Sequence, residues 1–110
     1  MVDDILKSAG FVKNITYRET QFLKPPSETY VVYTDTYERR GGDFVNLVKE
    51  HEVSLELYEY SPDPEKEAAI EEQLDRLGLK YTKQPRYRIE TEQLYQIIYD
   101  FTYFEKVKGA

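Results

Sequence analysis

The chain has 110 residues, a formal net charge of −6, eleven Tyr, five Phe, no Trp and no Cys. That length supports one domain with one modest core, and the missing cysteine excludes disulfides, thiolate metal ligands and a cysteine nucleophile. No apolar run approaches the roughly 20 residues that cross a bilayer, and an acidic excess argues against nucleic-acid binding, where neutralised phosphates supply most of the affinity. The opening MVDDILKSAG is acidic and then polar, unlike a signal peptide. The chain is therefore expected to be soluble, without membrane contact; a reducing compartment fits but is not required.

In chain order, VDDILKSAG has the length and stop signal of a short helix, with Gly10 near its end. FVKNITYRETQFL alternates loosely and predicts an irregular strand. KPPSE is a turn, because paired prolines suit neither a helix interior nor a central strand. TYVVYTDTYE alternates and is rich in β-branched and aromatic residues, which predicts a strand. HEVSLELYEY gives a clean period of two, with Val53, Leu55 and Leu57 on one face and Glu52, Ser54 and Glu56 on the other.

SPDPEKEAAIEEQLDRLG predicts a helix capped by Asp63, with Pro64 at its first position and acidic residues in its first turns. Ile70, Leu74 and Leu77 form its apolar stripe, and Gly78 ends it. LKYTK predicts a short strand and EQLYQIIYDFTYFEKV a long one. The long strand is apolar on both faces, with Tyr95, Ile97, Tyr99 and Phe101 on one and Leu94 and Ile98 on the other. Such a strand is central and covered, or it meets a partner. The expected fold is α+β: a single domain, residues 1–110, with a mainly antiparallel sheet packed by two helices and a long protruding β-hairpin loop.

Between the two central strands lies TYERRGGDFVNL. It lacks the glycine spacing and the Gly-Lys-Ser/Thr of a phosphate loop, and a strand follows it rather than a helix. Gly41 and Gly42 suit a hairpin connection. The connection from Glu38 to Lys49 is long, however, and Phe44, Val45, Leu47 and Val48 are too apolar for a solvated tip. Arg39, Arg40, Gly41, Gly42, Phe44 and Leu47 are accordingly the candidate contacts to a neighbouring subunit or partner.

Little else offers chemistry. His51 is the only histidine and reads as an exposed strand end. Glu65, Glu67, Glu71, Glu72 and Asp75 read as the solvated face of their helix. Glu90 and Glu92 share one side of a strand, but nothing converges with them. No catalytic residue, cofactor or metal ligand set is expected. Charge is nonetheless uneven: Glu50 to Arg76 holds ten acidic residues against Lys66 and Arg76, and Lys80, Lys83, Arg86 and Arg88 follow directly. Glu67, Glu71 and Asp75 on one copy could meet Lys80, Lys83, Arg86 and Arg88 on another. Tyr81 and Tyr87 interleave the same cations, which also fits a small binding or regulatory module that contacts nucleic acid through Lys80–Arg88.

The ordered run KPPSETYVVYTDTYE, then HEVSLELYEYSPDPEKEAAIEEQLDRLGLKYTK, then RIETEQLYQIIYDFTY resembles the tail-completion or tail-terminator-like proteins of long-tailed phages and prophages of Gram-positive bacteria. The resemblance covers roughly residues 25–103. It implies a structural protein of the virion, assembled in the host cytoplasm into a ring, commonly a hexamer, at the head-proximal end of the tail. Its implied partners are further copies of itself, the tail-tube protein and the head–tail connector, with a monomer before assembly. It carries no catalytic residues, and it does not extend to the N-terminal segment or to the Arg-Arg-Gly-Gly stretch.

Overall fold

A computed structural model describes residues 1–41 and 48–107. Helix α1, Val2–Ser8, buries Val2, Ile5 and Leu6 on one side, and Asp3 and Asp4 occupy its positive first turn. Gly10 follows at φ 97°. The predicted irregular strand is mostly a turn: the N–H groups of Ile15, Thr16 and Tyr17 all donate to the Val12 carbonyl, at 3.0, 2.8 and 3.2 Å. Only Tyr17–Glu19 is extended, as β1, and it pairs in parallel with the next strand.

The long strands are β2, Tyr30–Arg40, and β3, Val48–Glu59. Helix α2, Pro64–Arg76, follows, and the Asp63 side chain accepts the Lys66 N–H at its start. Short strands β4, Tyr81–Lys83, and β5, Tyr87–Ile89, precede β6, Leu94–Lys106. The sheet order is β1-β2-β3-β6-β4, with β5 also on β6. Every pairing except β1–β2 is antiparallel. The chain is thus a two-layer α+β domain, and β6 lies inside the sheet between β3 and the β4–β5 edge, with Leu94 and Ile98 followed by Asp100 and Thr102 on its outward face.

Residues directly opposite across a sheet share a face. Val31, Leu57 and Ile97 therefore lie in one row, followed by Tyr33, Leu55 and Tyr99. This inner face carries the main core, packed with Val2, Ile5, Leu6 and Phe11 from the N-terminal segment and Ile70 and Leu74 from α2. Leu77 caps α2 and is half exposed instead of completing the stripe. The outer face is covered only at its base, where Tyr30, Val32 and Leu94 cluster with Phe22 and Tyr58. There the Tyr30 and Tyr58 rings stack at 5.0 Å.

One irregularity decides where charge goes. Tyr81 to Lys83 oppose Phe101 to Tyr99, and the Gln84 N–H donates to the Ile98 carbonyl at 2.9 Å. Tyr87 to Ile89 oppose Gln96 to Leu94. Pro85 and Arg86 together therefore stand against Ile97 alone, which is a β-bulge. Pro85 has no N–H to lose from the ladder, so the interruption is least costly there. Before the bulge, Tyr81 and Lys83 face the helices. After it, Arg88 does, beside Tyr95.

Candidate functional site

β2 and β3 stay paired as far as Arg40 opposite Val48, and β6 accompanies β3 to the same point, Lys106 opposite Val48. The predicted long connection is accordingly shorter: Arg39, Arg40, Lys49 and Val48 are strand residues, and only 41–47 link the strands. Gly41 is exposed; Gly42, Phe44 and Leu47 lie outside the described residues. Arg40 Nε meets Glu50 Oε2 at 2.9 Å, and its guanidinium lies 3.7 Å from Glu38. These are exposed pairs of small energetic weight.

The three strands form an arm on a molecule of 50 × 29 × 23 Å. β1 covers the β2 edge only at Val31–Tyr33, and β4 reaches along β6 only to Phe101. Among the described residues, 34–40 of β2 and 102–106 of β6 have no strand on their outer side. Both strands run antiparallel to β3, so they share one direction while their open edges face opposite sides of the arm.

The arm's base holds His51, which is not an exposed strand end but 7% exposed. Its parity with Val53 and Leu55 turns it inward. Nδ1 lies 2.7 Å from Asp35 Oδ1 and Nε2 lies 2.9 Å from Glu105 Oε1. The ring stacks on Tyr103 at 4.2 Å and 11°, and the Tyr103 hydroxyl donates to Asp35 Oδ2 at 3.1 Å. Burial alone would lower the imidazole pKa, but the bonds to Asp35 and Glu105 outweigh it and raise it. The bond to His51 holds the Glu105 carboxyl below its usual value.

At the other end of β3, Glu59 is fully buried. Glu67 and Glu71 are not on a solvated face: Glu67 is buried and Glu71 half-buried. Glu67 sits three residues before Ile70, on the same side of the helix. Arg86 Nη2 donates to Glu67 Oε2 at 2.6 Å, and its Nε lies 3.4 Å from Glu59 Oε1. Lys83 Nζ donates to Glu67 at 3.1 Å and to Glu71 at 2.9 Å. The Tyr99 hydroxyl donates to Glu71 at 2.8 Å. Burial and the adjacent Glu67 push Glu59 up to about 7.

The attraction expected between copies is therefore met within one chain for Glu67, Glu71, Lys83 and Arg86. Asp75 and Lys80 are exposed. Arg88 lies 3.7 Å from Glu90 and 4.8 Å from the Tyr95 ring. Three of the four cations of the proposed nucleic-acid patch, Lys83, Arg86 and Arg88, thus meet carboxylates. Glu90 and Glu92 belong to a turn between β5 and β6, not to a strand. Among the described residues, no three His, Asp or Glu side chains are grouped to hold a metal. Among the same residues, no helix is long and apolar enough to cross a membrane.

A concavity of about 870 Å³ opens on the outer face between the arm and the α2–β4 connection. Thr34, Thr36, Ser54, Thr82 and Thr102 line it with Glu52 and Asp100. Ser54 and Gln84 both donate to Asp100. Alternation along the strands could have identified this hydroxyl-rich face, since its members are the outward partners of the core residues. The chain matches no family model and no curated protein.

Proposed function

We propose that the chain is a structural assembly protein of the head-proximal end of a phage tail, forming a ring that ends tube growth and joins the tail to the head connector. The ordered sequence resemblance over residues 25–103 motivates this function. The observation that supports it best is the arm, whose two open edges differ in sequence and face opposite sides. An edge of unpaired backbone groups is a template for another strand. Two unlike edges on one protomer suit a head-to-tail contact, which closes into a ring when the rotation between neighbours permits. Arg39, Arg40 and Gly41 stand at the described end of this arm, where they would reach a neighbouring copy or the tail tube. The hydroxyl-rich outer face offers polar contacts to the same neighbours.

The test is to polymerise the tail-tube protein with and without this chain and to follow tube length by electron microscopy, with molar mass of the chain alone by light scattering. Capped tubes that stop growing, with a ring of copies at one end, are expected. Tubes that lengthen equally in its presence, with the chain unbound, would overturn the assignment. Salt-sensitive retention on single-stranded nucleic acid in place of tube capping would favour a nucleic-acid module.

A further inference from the structure

We infer that His51 is a proton-operated latch that clasps the end of β6 to the arm when protonated and releases it when neutral. This inference concerns the arm itself and does not rest on the assembly function. Its basis is stoichiometric. Carboxylates only accept hydrogen bonds, and both ring nitrogens face one, Asp35 on β2 and Glu105 on β6. Only the imidazolium can donate to both. A neutral ring must turn one lone pair toward a carboxylate oxygen, and that clasp becomes repulsive.

The environment decides which clasp opens. Asp35 also accepts from the Tyr103 hydroxyl, and its side chain is 19% exposed against 53% for Glu105. Glu105 can return to water at little cost, whereas Asp35 cannot, so the remaining proton stays on Nδ1. Glu105 stands near the open end of β6, beyond the reach of β4 and two residues past Tyr103, where among the described residues β3 is the one strand paired with it. Loss of its side-chain bond is felt there first.

The groups facing the latch are Asp35 and Tyr37 from β2, Lys49 from β3, and Tyr103 and Glu105 from β6. The Met1 amino group and Asp4 face it from the N-terminal helix. Tyr37 lies 5.3 Å from the His51 ring with Lys49 over its far side at 4.5 Å. Lys49 and the Met1 amino group both act on Glu105, and Asp4 lines a groove with Tyr103 and Glu105. The imidazole keeps its proton above the usual 6.5. The clasp is therefore closed below that value and is lost as pH rises through the raised folded value. On the acid side it is lost as pH falls through the depressed Glu105 value.

The experiment is an NMR titration of the full chain from pH 5 to 9, and the single histidine makes the ring signal unambiguous. Amide protection factors at Tyr103 and Glu105, whose N–H groups face β3, should fall about tenfold with the same midpoint as the ring, while those of Leu55 and Ile97 hold. Glu105→Ala, at an exposed site that leaves folding intact, should lower the ring midpoint and leave the strand end weakly protected at every pH. The N-terminally acetylated chain should behave as the parent, although a free α-amino group titrates at about 7.7–8. Protection at Tyr103 and Glu105 that ignores the ring titration, a midpoint unmoved by Glu105→Ala, or a transition abolished by acetylation would each overturn the latch.

Discussion

β3 sends one row of side chains toward the helices, His51, Val53, Leu55, Leu57 and Glu59, and the two ends of that row handle buried charge in opposite ways. At the His51 end two carboxylates surround one ring, so the site demands a proton. At the Glu59 end burial and the adjacent Glu67 outweigh the contacts from the Asp63 N–H and Arg86, so Glu59 keeps its proton. Both ends thus hold a proton that the unfolded chain releases at lower pH, one as a cation and one as a neutral acid. Burial opposes charge at both ends, and only at His51 do the neighbouring carboxylates overcome it.

The largest expected effect sets the baseline for this comparison. Leu57→Ala, in the apolar middle of the row, should cost about 3 kcal/mol at every pH, read as a parallel shift of denaturation midpoints. Arg86→Met should cost about 2 kcal/mol at neutral pH. Breaking a buried pair costs about 3–5 kcal/mol, and the guanidinium's partial exposure reduces that. A loss equal at pH 5 and pH 8 would show that packing, not charge, holds Arg86.

Glu59→Gln isolates one end of the row. Because the folded pKa is raised from 4.5 to about 7, the parent loses stability as pH rises through that interval. The variant should match the parent at pH 5 and exceed it by about 1–2 kcal/mol at pH 8, since its amide needs no ionisation. The His51 contribution has the same sign, falling as pH rises beyond 6.5, whereas the lowered values of Asp3, Glu67 and Glu105 act in acid. Stability should therefore peak at about pH 5 in urea titrations. Smallest of all, Arg40→Ala removes an exposed pair with Glu50 and should change stability by no more than about 0.5 kcal/mol.

Much of the architecture was legible because its signals are local. The alternation of Val53, Leu55 and Leu57, the Asp63–Pro64 start of α2 and its Gly78 stop each act within a few residues. The two charged ends were not legible, because their partners are remote: His51 meets Asp35 and Glu105 at separations of 16 and 54 residues. Glu67 was misassigned for a different reason. Only apolar residues were counted toward the buried stripe, and a carboxylate at the right helical spacing was left to solvent. The open edges of the arm followed from neither signal, since they depend on how far β1 and β4 extend beside longer strands.

The bulge at Pro85 and Arg86 gives the edge strand something like a reading frame. Upstream, odd-numbered residues address the helices; downstream, even-numbered ones do. Substitutions within the segment change one contact each, but loss of a single residue between Gln84 and Tyr87 would invert everything after it. Arg88 would leave Tyr95, and Ile89 would turn from the Leu94 side toward the charged interior. Lineages descended from this chain should accordingly vary in residue type along 80–90 far more readily than in length.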